Sequence, residues 1–147
     1  MAFTVRTSAF GDSETVPTRF TCDGENTAPP LEIANTPEGT RSFALIMDDP
    51  DAPRGTFTHW LAYDIPVDGE TLRPTSGKSL KNSFGKSGYG GPCPPPGHGP
   101  HRYFFSVYAL DRSTLEVKGS ERKDLEAALV GHVLATARVM GRYERAK

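Results

Sequence analysis

A chain of 147 residues with 17 Lys plus Arg against 18 Asp plus Glu has a formal net charge of −1, which excludes a broad electrostatic footprint for nucleic acid or an anionic membrane. Hydrophobic residues make up 36% and charged residues 24%, an ordinary globular balance, and no window approaches the ~18 apolar residues of a membrane span. Residues 1–147 read as a single domain, long enough to bury roughly 68–70% of its unfolded surface without a staple.

The opening MAFTVRTSAFGDSE lacks the apolar core of a secretory signal, so a cytoplasmic location is expected. Residues 3–10 alternate as a first strand and end at Gly11-Asp12. PTRFTCDGENTAPPLEI follows with little period: Asp23-Gly24 marks a turn, Pro29-Pro30 a break and Leu31–Ile33 a short strand. The run Phe43-Ala44-Leu45-Ile46-Met47 is short, apolar and bounded, as a fully buried strand is.

Asp48, Asp49 and Asp51 then cluster around Pro50, with Pro53 close behind, so the strand must end and the chain must turn. The Ala52–Pro53 bond, in a tight turn beside candidate site residues, is predicted cis. In the next strand Phe57, His59, Leu61, Tyr63 and Ile65 share one parity. His59 is therefore expected on the more apolar face, towards the carboxylate turn if the two strands are neighbours.

From Pro66 to Pro100 the period is lost, and GKSGYGGPCPPPGHGP reads as a stiff loop shaped over a site. It leads to His101-Arg102 and YFFSVYAL, apolar on both parities and hence a central strand. A helix is predicted from Ser120, with Leu125, Ala128, Leu129, His132 and Val133 as its buried stripe; Lys123 spoils a capping box. ATARVMGRYER alternates as a closing strand. The pattern is mainly β, a β-sandwich with one late α-helix near the C-terminus.

The chemistry concentrates in Asp49, Asp51, His59 and His101. Two carboxylates about 4 Å apart repel by roughly 4 kcal/mol at an effective dielectric near 20. A protonated histidine, a shared proton, backbone donors or a cation has to offset that. A protonated histidine with glycine-rich backbone N–H groups would attract a small anion such as phosphate. Asp48 reads as structural, His98 as an exposed residue without a role, and His132 as packing. Cys22 and Cys93 lie far apart with no metal-type spacing and read as reduced thiols.

CDGEN, DDPDAP, the THW strand start, GYGGPCPPPGHGPHRYFF and GRYER together resemble the phosphatidylethanolamine-binding proteins, in their short bacterial and archaeal, Raf-kinase-inhibitor-like branch. The resemblance spans about Phe3 to Arg145. It implies a β-sandwich with a small anion-binding pocket at one end and no established catalysis. By position it assigns Asp49 and Asp51 to the pocket, with Ala52 and Pro53 on its wall and His59 as its histidine. Tyr89, Gly91, Pro94 and Pro95 would form the rim, with Cys93 at the lip, and His101 and Tyr103 the floor. Longer relatives continue into a C-terminal helix beside the pocket; without it the pocket is expected to be more open.

The leading expectation is a non-catalytic binder of a phosphate-like or phospholipid-headgroup-like anion that regulates a kinase or protease, without nucleic acid, stable membrane insertion, metal or cofactor. The resemblance also implies a homodimer. The competing reading is an enzyme, either a metal-dependent hydrolase using His59, His101 and a carboxylate, or one with Cys93 as nucleophile and His101 as base.

Overall fold

Alternation along one long strand sets up both layers of this protein. The computed structural model describes Met1–Ala146, and its strand β3 (Ser42–Asp49) is buried along nearly its whole length. Phe43, Leu45 and Met47 enter the core between two sheets, while Ala44 and Ile46 enter a smaller core on the opposite face. A strand covered on both faces needs apolar residues at both parities, hence the uninterrupted run in the sequence.

Around β3 an antiparallel five-stranded sheet takes the spatial order β6 (Lys78–Ser79), β4 (Phe57–Ile65), β3, β7 (His101–Leu110), β8 (Val133–Tyr143). A second sheet of β1 (Thr4–Arg6), β2 (Leu31–Ala34) and β5 (Thr71–Leu72) packs over its inner face. The helix α1 (Arg122–Leu129) closes the outer face with Leu125 and Leu129, against Ala44, Ile46, Leu61 and Tyr63. A β-sandwich with one late helix is thus the observed architecture.

Several local expectations are corrected. The first strand stops at Arg6 because Thr7 turns the chain, its hydroxyl accepting from the Ala9 N–H at 3.1 Å. The stretch after Pro66 holds the short strands β5 and β6 and a 3-10 turn at Pro74–Ser76 before it becomes irregular. The helix starts at Arg122 with Glu121 as N-cap, and Asp124 completes a capping box, one residue beyond the position that Lys123 was expected to spoil. His132 lies past the helix end and meets Asp111 at 3.0 Å instead of packing in a stripe.

The Ala52–Pro53 bond is trans: the described residues contain no cis peptide. The turn closes through a Gly55 N–H to Ala52 carbonyl bond of 3.2 Å, with Gly55 at φ 101°. Pro53 thereby takes the second position of a four-residue turn, which wants its fixed φ and a trans bond. Cys22 and Cys93 are not free thiols but a disulfide, their Cα atoms 5.4 Å apart across 71 residues of sequence. The spacing along the chain gave no hint of that approach, which depends on two loops meeting at one end of the sandwich.

Candidate functional site

The alternation that fills the core of β3 continues one step beyond it. Asp48 follows the outer parity and pairs with Arg122 of α1 at 2.8 Å, which bears out its structural reading. Asp49 follows the inner parity and is buried at the end of the inter-sheet core. Across the sheet, His101 and Tyr103 at the start of β7 share the parity of Phe105 and Val107 and meet it there.

His59 arrives by a different route. Its simple parity would put it with Leu61 and Tyr63, which face the helix. The pairing of β3 with β4 shifts between Met47↔Trp60 and Asp48↔Thr58, so His59 is the extra residue of a bulge. Bulges re-aim side chains beside functional sites. This one turns His59 to the inner side, with Phe57, Phe84 and Tyr103 ring centroids at 4.9, 5.4 and 5.2 Å.

Together these residues line a cavity of about 180 Å³. Asp49, His59, His101 and Tyr103 supply its polar groups; Ala52, Pro53, Cys93, Pro94 and Pro95 supply wall and rim. Phe57 and Phe84 also line it and were not anticipated. The signal for Phe84 was there to read: a large apolar residue alone in the polar loop KNSFGK, 45% exposed.

Three expected residues lie elsewhere. Asp51 faces outward, its carboxylate gripped by the Arg102 guanidinium through bonds of 2.9 and 2.8 Å and by the Arg102 N–H at 2.9 Å. The Arg102 side-chain bonds pull its pKa down to about 2, against a smaller opposing effect of burial. Tyr89 and Gly91 line an adjoining cavity on the other side of Phe84 and Cys93. Tyr89 donates to the Phe20 carbonyl at 2.7 Å, and Gly91 donates to Asn26 Oδ1 at 2.9 Å. The repulsion foreseen between Asp49 and Asp51 is thus offset separately, by Arg102 for one and by His101 for the other.

Inside the cavity the hydrogen bonds fix where protons sit. His101 Nδ1 donates to Asp49 Oδ2 at 2.7 Å, and Asp49 Oδ1 accepts from the Asp51 N–H at 2.8 Å. The other nitrogen of His101, Nε2, is 2.6 Å from His98 Nδ1. With Nδ1 of His101 already donating, His98 supplies the hydrogen of that second bond when both rings are neutral. His98 is therefore not without a role: it caps a chain Asp49–His101–His98, and its place three residues before His101 was the only clue.

His59 Nδ1 lies 2.7 Å from the Gly90 carbonyl, which only accepts, so Nδ1 carries the hydrogen and Nε2 holds a lone pair in the neutral ring. Burial lowers the His59 pKa, opposed in part by the Gly90 carbonyl and Asp49. Tyr103 is fully buried and its hydroxyl has no protein partner. Burial, with Asp49 nearby, raises its pKa and keeps it a neutral donor.

The reading with a cysteine nucleophile loses its footing. Cys93 is bonded to Cys22 and offers no nucleophilic thiol. Among the described residues, no three or more His, Cys, Asp or Glu side chains are placed to hold a metal ion.

Known proteins match this chain in sequence and in fold. The family model for phosphatidylethanolamine-binding protein matches residues 6–144. A UPF0098 protein of Aquifex aeolicus is 49% identical over 146 residues, covering 93% of this chain and 85% of the relative. A protein of Mycobacterium tuberculosis H37Rv that carries the name lipoprotein LppC is 37% identical over 147 residues, 96% of this chain and 72% of that one. The solved structure of a phosphatidylethanolamine-binding protein homolog from Chlamydia trachomatis superposes with a TM-score of 0.89 at 33% identity, covering 98% of both chains. A carboxypeptidase Y inhibitor solved with its cognate proteinase shares the fold, with a TM-score of 0.61 and 19% identity over 98% of this chain and 83% of that one. The chain belongs to the phosphatidylethanolamine-binding protein family.

Proposed function

We propose that this protein is a non-catalytic binder of small ligands, whose cavity takes a phosphate-like head group and whose output is regulation of another protein. The observation that carries the reading is the buried constellation of Asp49, His59, His101 and Tyr103 around a space of about 180 Å³. Such a volume fits a head group and falls below the several hundred Å³ of drug-sized pockets. The unpartnered Tyr103 hydroxyl supplies a donor that a ligand oxygen would satisfy. Inhibition of a protease is the output we favour, because a protein of the same fold is a carboxypeptidase inhibitor.

The Cys22–Cys93 disulfide, and the lipoprotein name of one relative, favour an oxidising setting over the cytoplasmic one expected from the N-terminus. No helix among the described residues is long and apolar enough to cross a membrane. Calorimetric titration with methyl phosphate tests the binding reading, beside a hydrolysis assay with a chromogenic phosphate ester. Saturable binding without turnover is expected. Turnover by the pure protein, lost in His59→Ala, would replace the binder with an enzyme.

A further inference from the structure

Among the described residues no Lys or Arg lines the cavity, which is unusual for one that takes an anion. Its backbone offers N–H groups at the rim, on Ala52 and Cys93, and little deeper in. Pro94 and Pro95 have no N–H, the Gly90 N–H is spent on the His59 carbonyl, and the Gly91 N–H on Asn26. Both nitrogens of His101 are engaged, one by Asp49 and the other by His98. What remains deep in the cavity is the lone pair of His59 Nε2, the Asp49 carboxylate already accepting from His101 and from the Asp51 N–H, and the hydroxyl donor of Tyr103. The His59 lone pair is thus a buried acceptor left for a ligand to satisfy.

A fully ionised oxyanion has only acceptors to offer, so it would leave the His59 lone pair unpaired and confront Asp49 across a small, largely apolar space. A ligand that carries its own O–H resolves both problems. We propose that the pocket selects a protonated oxyanion, a phosphomonoester monoanion whose P–OH donates to His59 Nε2 while another phosphoryl oxygen accepts from the Tyr103 hydroxyl. This rests on the head-group reading above and sharpens it: ligands of equal charge and shape are told apart by one hydrogen. In this arrangement His98 is a specificity residue, because it occupies the His101 nitrogen that would otherwise be open to a ligand.

Burial favours the neutral His59 ring, against the carboxylates that face it. Asp49 and Asp48 come from β3, and Tyr103 and His101 from β7. Phe57 and Phe84 enclose it with apolar surface, and Gly90 holds its Nδ1 hydrogen. Arg102, the cation on the neighbouring turn, is committed to Asp51 outside the cavity.

Methyl phosphate and methyl sulfate make the test, since they share charge and shape at pH 5 and differ by the acidic hydrogen; the second ionisation of a phosphomonoester lies near 6. Titration calorimetry at pH 5 and pH 8 is expected to show methyl phosphate bound at least about tenfold tighter than methyl sulfate at pH 5, the scale of one unpaired buried acceptor. The advantage should fall at pH 8, where the monoester has lost its hydrogen. Nitrogen chemical shifts of His59 should keep the Nδ1–H tautomer in the complex at pH 5. Equal affinity for the two ligands, or tighter methyl sulfate, would overturn the selection while leaving the head-group reading standing. No binding of either ligand at either pH would overturn both.

Discussion

Asp49 and His101, 52 residues apart in sequence, are joined by a 2.7 Å hydrogen bond in which both side chains are almost wholly buried. Asp48 looks equivalent in the sequence, yet it pairs with Arg122 on the other face of the same sheet. Neighbouring carboxylates are thereby divided between a buried cavity and a helix anchor by nothing more than strand parity.

Asp49→Ala is expected to destabilise the protein by about 1–3 kcal/mol, because it leaves the buried Nδ1–H of His101 without its acceptor. Methyl phosphate binding at pH 5 should be lost in the fraction that remains folded. Urea denaturation and calorimetric titration of one preparation measure both effects. A change below about 0.5 kcal/mol with unaltered binding would mark Asp49 as a solvated turn residue.

The Asp51–Arg102 pair sets an acid limit to stability. Its folded pKa of about 2 lies below the ordinary 3.8, so its contribution is complete above that ordinary value and is lost as pH falls towards 2. Asp51→Asn should therefore flatten the stability curve between about pH 4 and pH 2, where wild type declines, and leave ligand affinity unchanged at pH 5. Urea midpoints collected across that range provide the measurement. The effect is screened because both side chains reach solvent.

Reduction of Cys22–Cys93 should cost about 2–5 kcal/mol, since the bond closes a long loop in the unfolded chain. The cavity itself should persist. Three contacts hold the same loop to the rim without the sulfurs: Cys22 N–H to the Pro92 carbonyl at 3.1 Å, Gly91 N–H to Asn26 and Tyr89 to the Phe20 carbonyl. Denaturation with and without reductant, followed by titration of the reduced protein with methyl phosphate, separates the two effects.

Phe84→Ala offers the converse separation. The ring stands between two cavities and is half exposed, so its removal should change stability by less than about 1 kcal/mol. Ligand affinity should fall by about tenfold as water reaches His59. Equal affinity with and without the ring would mean that Phe84 does not enclose the ligand.

Much of the fold could be read from local pattern. The double-parity run of Phe43–Met47 pointed to a strand covered on both sides, and the late apolar stripe of Leu125 and Leu129 to a helix against that sheet. Asp49 and His101 were legible because each stands at the end of a strand where the apolar alternation meets a turn. The rest depended on register and on loops meeting far from their place in sequence. The bulge at His59, the Cys22–Cys93 bond and the His98–His101 contact arise only when strands and loops are aligned in space. Asp51 was misplaced because its partner, Arg102, lies on a strand 51 residues away.

The bulge gives His59 an address written in residue count. Deleting a single residue between Phe57 and Trp60 would restore plain alternation in β4 and leave the core pairing of Trp60 with Met47 intact. A histidine placed beside Trp60 would then follow the parity of Leu61, towards α1, and the cavity would lose its free nitrogen lone pair without losing a chemical type from the strand. Along this stretch, insertions and deletions are expected to be more damaging to ligand capture than most substitutions. A length-scanning library of β4, sorted first for folding and then for methyl phosphate binding, would make that visible as a gap between the two pools.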